Sequence, residues 1–487
     1  MERDTARRRA PARRPADPLP AHSRGAAALT SKQAHPAAEP AGPPRAPSSG
    51  PISCERALEL ILDGARPLHS RSVSLDEADG RAAAREVRAR FALPAWANSA
   101  KDGYAVRHAD LAPAAGEVGV ELPVIGEIAA GDPPGMTLPS GAVVRIMTGA
   151  PLPVGADAVV PVEATRGPEG PGRFAATGRR VRILESPVAG ANVRPAGGDV
   201  RAGEVVIEEG ETVTPGRLAL LAALGEVGVE VHRRPRVTVI ATGDELIEPG
   251  HELVPGKLYA SNSYGLAALA RRAGAVAHIA DLVPDDRLRI REAVFEALES
   301  SEVVVTSGGV SAGEHDHVRG VIEEAAGGLV FWRVLMRPGA PLVFARTSDL
   351  AGVGRVPTRY MFGLPGNPTS AMVTFLEFAR PLVRRLAGFR DLFLPMLSAT
   401  LAEPVRSEPG RRSFLRVRLT RDASGGLVAV PFSDQSSGLL RPLALADALL
   451  ICGPERTDLQ AGERVLVQVL EPMASPRDSF APPPPAG

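Results

Sequence analysis

The apolar positions of this chain follow three successive rhythms. In the first, Ile52, Ala57, Leu58, Ile61 and Leu62 recur at helical spacing, with Ser53 three residues ahead of Arg56 as an N-cap, so an amphipathic helix is expected to open the fold. Between about residues 106 and 199, short segments such as Val143-Val144-Arg145-Ile146 and Asp157-Ala158-Val159-Val160 are punctuated by Gly and Pro, which predicts a small β domain. From 236 to about 387 the pattern alternates: strand 237–241, helix 263–273, strand 276–281, helix 288–298, strand 303–305, then a helix through Val318, Val321 and Ile322. Such alternation predicts a mostly parallel sheet covered on both faces, with ligands bound beyond the carboxyl ends of its strands. After a last helix over 369–386, strands at 414–419, 427–431 and 464–470 predict a C-terminal all-β module.

At 487 residues the chain exceeds what one core supports, so several domains are expected. With 44% hydrophobic and 23% charged residues, it has the balance of a soluble globular protein, and no apolar run is long enough for a transmembrane helix. Net charge is zero, but the first 50 residues carry 9 basic and 4 acidic groups, which leaves the remainder five negative. A nucleic-acid-binding face is therefore disfavoured, and any anionic ligand must be held locally. Lysine occurs only at Lys32, Lys101 and Lys257, against 53 arginines, a bias that GC-rich coding produces. Cys54 and Cys452 lie far apart, which fits a reducing cytoplasm and neither a disulfide framework nor a zinc site. The tail over 1–50 is rich in Arg, Ala and Pro without periodicity and is expected to be disordered, as is 475–487. Arg7-Arg8-Arg9 lacks the apolar segment that an export signal needs.

The sharpest local feature is Thr306-Ser307-Gly308-Gly309-Val310-Ser311-Ala312-Gly313-Glu314-His315-Asp316, between a strand and a helix. Glycines there let backbone N–H groups approach a ligand, and with the helix N-terminus they suit a phosphate, although a tight turn without ligand has the same glycines. Neither a Walker A motif nor G-x-G-x-x-G is present at this loop. Glu245, Asp285 and Asp316 follow three different strands and can converge on one crevice. Carboxylates repel an oxyanion unless a cation intervenes, and hard oxygen ligands favour Mg²⁺ completed by phosphate, so a bridging magnesium is inferred. Taken singly, each acid reads equally as a helix cap or surface charge. His315 and His317 lack further ligands at zinc-like spacing. Two rigid polar loops complete the set, Asn98-Ser99-Ala100-Lys101-Asp102-Gly103-Tyr104-Ala105 and Leu364-Pro365-Gly366-Asn367-Pro368-Thr369-Ser370.

These segments, with Arg145-Ile146-Met147-Thr148-Gly149-Ala150 and Thr242-Gly243-Asp244-Glu245-Leu246, stand in the order of the molybdopterin molybdenumtransferase (MoeA-like) family, related to the E domain of gephyrin. Gln435-Ser436-Ser437-Gly438-Leu439-Leu440 and Ala461-Gly462-Glu463 resemble its C-terminal β-barrel. The resemblance implies a multidomain α/β plus β fold. Its parts are an N-terminal linker domain from 51–107 and 195–235, an inserted β domain at 108–194, a molybdopterin-binding α/β domain at 236–387 and a barrel at 390–474. It further implies hydrolysis of adenylylated molybdopterin with transfer of molybdate onto the dithiolene and release of AMP, by a homodimer. Positions matching the family's functional residues are Asp102, Thr148, Asp199, Glu245, Asp285, Asp316, Pro365 and Pro368, with Ser307, Gly308, Gly309, Ser311, Gly313, Asn367 and Ser370 around phosphate or molybdate. Lys101 replaces the family's Met. The family's lysines become Arg333, Arg337 and Ala340, of which the arginines keep the charge and suit an oxyanion. A non-catalytic scaffold and a nucleotide-handling enzyme sharing only the α/β domain are the alternatives. An AMP-release assay separates the first, and matches on both sides of that domain weigh against the second.

Overall fold

The computed structural model describes residues 50–114, 119–310, 317–347 and 358–470. The expectations for the two tails lie outside these residues, apart from Gly50. At the start of the fold, Cys54–Leu62 is helical, and Ser53 Oγ accepts from Arg56 N at 3.2 Å as its spacing predicts. The helix buries Cys54, Ala57 and Ile61, and this face joins the core of the central α/β domain. Leu68 N, just beyond it, donates to Leu386 O at 2.8 Å at the end of that domain. The linker region pairs its two sequence segments, Ser70–Ser74 antiparallel to Gly228–His232 and Val87–Arg88 to Val205–Ile207.

Between those segments lies a curled seven-stranded sheet in the order Ala158–Pro161, Gly103–Val106, Val143–Ile146, Val120–Ile128, Arg180–Ile183, Thr165–Gly167 and Gly170–Pro171. Gly103–Val106 is thus a member of the inserted sheet, ahead of the boundary expected at residue 108. Strand Val120–Ile128 alternates in burial along its length, the period-2 signature of a sheet with one wet face.

The central domain is built from β1 (Arg236–Ala241), α1 (Ser261–Arg272), β2 (Val276–Ile279), α2 (Arg287–Ser300), β3 (Val303–Ser307), α3 (His317–Ala326), β4 (Phe331–Trp332), β5 (Val343–Arg346), β6 (Tyr360–Leu364) and α4 (Pro368–Thr374). The sheet order is β2-β1-β3-β6-β5-β4. The first four are mutually parallel, while β5 and β4 run antiparallel to their neighbours. Side chains divide between the faces with period 2: Val303 and Val305 enter one core with α1, and Val304 enters the other with α2 and α3. Burial on both faces explains why these strands read as unbroken apolar runs.

The C-terminal module is a closed five-stranded barrel. Arg412–Arg421, Leu427–Pro431, Met396–Leu401, Arg464–Val469 and Ala448–Cys452 follow one another, and Ala448–Cys452 pairs back onto Arg412–Arg421. Met336–Arg337, a segment of the central domain, adds a parallel pairing at Arg412 and Ser413.

Candidate active site

Three parallel strands end side by side, with Ala241 opposite Ser307 and Ser307 opposite Leu364. The loops that leave them are held close. Gly308 N donates to Leu364 O at 3.1 Å, and a Cβ on Gly308 would stand 2.7 Å from Thr242 O, so only glycine fits this φ of +106°. Asn262, in the first turn of α1, joins two of the loops by donating to Ser307 Oγ at 2.9 Å and Gly366 O at 2.8 Å. Ser307 Oγ in turn donates to Pro365 O at 3.5 Å. Thr242 Oγ1, Asn262 Oδ1 and Ser263 Oγ are buried here without partners. Unmet polar atoms of this kind cost roughly 1–3 kcal/mol each, which marks the crevice as a place for a polar guest.

The acidic groups fall into different roles. Asp286 is a helix cap, accepting from Leu288 N and Arg289 N at 3.0 and 2.9 Å. Asp244 Oδ1 accepts from Asp285 N at 3.1 Å, which ties those two loops together. The Glu245 carboxylate folds over Gly243, where a Cβ would meet its oxygens at 2.5 and 2.7 Å. Glu245 and Asp285 remain exposed carboxylates beside the crevice. Ser311, Gly313 and Asp316 lie outside the described residues, as does His315. Among the described residues no three His, Cys, Asp or Glu side chains gather closely enough to hold an ion by themselves. Glu245 and Asp285 would supply the one or two protein oxygens that magnesium takes before water and phosphate fill its octahedron.

A second polar pocket of about 390 Å³ lies against the barrel, lined by Arg337, Arg406, Ser407, Ser413, Arg416 and Gln435 among others. Arg416 is fully buried, and burial pulls its guanidinium below the ordinary value. Its Nη2 donates to Asp434 O and Ser436 O, both at 3.2 Å, while Nε and Nη1 have no partner, nor has the buried Ser413 Oγ. Arg416 thus keeps two unmet donors on a buried charge beside this pocket, an arrangement that costs stability unless an acceptor meets them. Arg337, exposed at the mouth, is paired with Glu408. The loop that holds Arg416 also holds the crevice: Asn367 Nδ2 donates to Ser437 Oγ at 3.0 Å, Thr369 N to Ser437 O at 3.1 Å, and Thr369 Oγ1 to Leu439 O at 2.8 Å. Pro368 starts α4, and Ser370 is buried in its first turn.

Four of the expected residues stand apart. Asp102 Oδ1 accepts from Thr148 N and Thr148 Oγ1, both at 2.7 Å, and these bonds hold its carboxyl below the usual range. Asp199 is exposed on the linker, its N–H bonded to Leu93 O at 3.0 Å. Among the described residues no hydrogen bond or ion pair links Asp102, Thr148 or Asp199 to the crevice. Arg333, in a left-handed backbone at φ +82°, lies over the Trp332 ring at 4.3 Å, away from the Arg416 pocket lining. Sequence reasoning missed Arg416 and Asn262. The signals were a lone Arg inside Phe414-Leu415-Arg416-Val417 and an Asn in the turn that opens α1.

Comparison with known proteins accounts for this arrangement. Residues 52–225 match the MoeA N-terminal region (domain I and II), 238–385 a probable molybdopterin binding domain, and 398–470 the MoeA C-terminal region (domain IV). The chain is 38% identical over 418 residues to molybdopterin molybdenumtransferase 2 of Mycobacterium tuberculosis, spanning 85% of this chain and 97% of that one. To the molybdopterin molybdenumtransferase of Haemophilus influenzae it is 33% identical over 404 residues, 82% of this chain and 94% of that one. Among solved structures, a molybdopterin biosynthesis MoeA protein from Pyrococcus horikoshii superposes with a TM-score of 0.70 at 30% identity, covering 87% of this chain and all of that one. Fold and site together define a multidomain enzyme of molybdenum cofactor biosynthesis, with a molybdopterin-binding α/β domain at its centre. The chain belongs to the molybdopterin molybdenumtransferase family.

Proposed function

We propose that this chain hydrolyses adenylylated molybdopterin, releases AMP and transfers molybdate onto the dithiolene, acting in the cytoplasm as a homodimer. The observation that carries this reading is that one loop, residues 434–439, bonds both to the strand-end crevice and to the buried Arg416. The Ser307-Gly308-Gly309 turn takes the pterin phosphate, with Pro365 and Asn367 closing its far side. The Arg416 pocket, entered past Arg337, takes molybdate, whose tetrahedral oxygens suit the free Nε and Nη1 donors and Ser413 Oγ. One connecting loop keeps the two anions at a fixed separation, the positioning that a transfer between them requires.

Glu245 and Asp285, with Asp316 as the third acid of the sequence reading, would hold a magnesium ion, which would supply charge neutralisation and polarise the phosphoanhydride. Around it the chain's own residues bind and orient. The Gly309 N–H holds phosphate, that of Gly308 being bonded to Leu364 O, Asn262 fixes the Ser307 hydroxyl, and Asp102 with Thr148 supports the reaction from a partner subunit. Two free buried cysteines suit a reducing compartment. The test is reconstitution with adenylylated molybdopterin, molybdate and Mg²⁺, following AMP release and activation of an apo-molybdoenzyme. Binding of molybdopterin without AMP release would make the chain a scaffold instead.

A further inference from the structure

Only two lysines occur within the described residues, Lys101 and Lys257, in a chain with 53 arginines. Lys257 is placed at a particular spot. After Glu245 the chain leaves the sheet edge through Leu246–Ile247 and returns alongside it through Leu258–Tyr259, the two short strands parallel. Leu258 N donates to Glu245 O at 2.7 Å and Ala260 N to Ile247 O at 3.0 Å, so the returning limb is fixed against the departing one. Lys257 begins that limb, and its Nζ reaches across to donate to Asp244 O at 2.5 Å. Among the described residues it makes no salt bridge to a carboxylate. Its charge serves a backbone carbonyl in a turn that carries two acids.

Asp244 is thereby tied at both ends, its carbonyl to Lys257 and its carboxylate to Asp285 N at 3.1 Å. Glu245, next in the chain, is left with its carboxylate turned over Gly243. A compact ammonium can close on a single carbonyl oxygen, which the wide planar fork of arginine does less well, so a lysine in this arginine-rich chain has a geometric reason.

We propose that Lys257 is a positioning residue, holding the Asp244-Glu245 turn so that Glu245 presents its carboxylate beside the Ser307 crevice for a divalent cation. This rests on the crevice being the site of phosphoanhydride cleavage. The experiment compares full-length wild type, Lys257→Met and Lys257→Arg in two measurements: Mn²⁺ binding by electron paramagnetic resonance without substrate, and AMP release from adenylylated molybdopterin. Lys257→Met is expected to weaken Mn²⁺ binding and lower kcat each about tenfold, with KM within about twofold, the effect of losing one charged hydrogen bond. Lys257→Arg keeps a charged donor and is expected to recover part of both. Wild-type Mn²⁺ affinity in Lys257→Met would overturn the proposal. So would a rise in KM alone, because the ammonium would then be meeting substrate directly. If wild type itself released no AMP, the reading of the crevice would fail, while the Mn²⁺ titrations would still decide the role of Lys257.

Discussion

Asp285 and Arg337 stand for two kinds of electrostatic work, and their variants are expected to fail in different ways. Asp285 presents an exposed carboxylate, and its backbone N–H is already committed to Asp244, so Asp285→Asn removes charge without disturbing the loop. AMP release by this variant is expected to fall at least about 100-fold while KM for adenylylated molybdopterin changes little, since the charge acts on the transition state. Steady-state kinetics over a magnesium series check this, and a wild-type kcat with unchanged magnesium dependence would reduce Asp285 to a structural residue. Arg337 is more than half exposed at the mouth of the barrel pocket, so Arg337→Ala should fold normally. Its defect is expected in molybdate capture and should be partly recovered at high molybdate, whereas the Asp285→Asn defect should not. Of the residues behind this contrast, the acids were legible because they follow predicted strands. Arg416 was not. A guanidinium fully buried among barrel strands looks in sequence like any arginine on a wet strand face, and only closure of the barrel reveals it.

At the scale of elements, the helix Cys54–Leu62 and the π-helical turn Phe375–Ala379 carry the next two expectations. Ser53→Ala removes the acceptor for Arg56 N and is expected to cost about 1 kcal/mol, measured by chemical denaturation. Glu377, in the π-helical turn, is pushed up to about 7 by burial, opposed by a hydrogen bond with Gln468 and by the charges of Arg380 and Arg412. Its Oε1 has no partner. A carboxyl whose folded value is raised contributes stability that is full below its unfolded value near 4.5 and is lost as pH rises through about 7. Glu377→Gln should therefore melt like wild type near pH 4 and above it at pH 8, by roughly 1–3 kcal/mol of stability. Equal melting curves at pH 8 would mean that the site is hydrated enough to keep the charge. The long periodic elements were legible in the sequence, among them the strand at 427–431 and the helix through Val318, Val321 and Ile322. Missed were the short strands Val343–Arg346 and, at the sheet edge, Phe331–Trp332, whose antiparallel pairing depends on partners rather than on any local period. The π-helical turn inside the helix expected over 369–386 escaped for a related reason, since an apolar run reads the same through a widened turn.

For the molecule as a whole, the open question is how Asp102 and Thr148 reach the chemistry, because among the described residues they bond to each other and not to the crevice. The homodimer of the proposed function answers it if the inserted sheet of one subunit faces the α/β domain of the other, so that each site draws residues from two chains. Hybrid dimers give a test that depends on geometry rather than on rate. Suppose Asp102→Ala and Asp285→Asn each abolish AMP release as pure homodimers. In a mixed dimer, one composite site then receives both defects and the other receives neither. Equal mixing makes half of the dimers hybrid, each with one intact site in two, so activity is expected to return to about a quarter of wild type. Were both residues to serve the site of their own chain, every site in every dimer would carry one defect and mixing would restore nothing. Refolding or co-expressing the two variants and comparing AMP release with the parent proteins decides between these arrangements, and a sedimentation measurement on the mixture confirms that two chains are present.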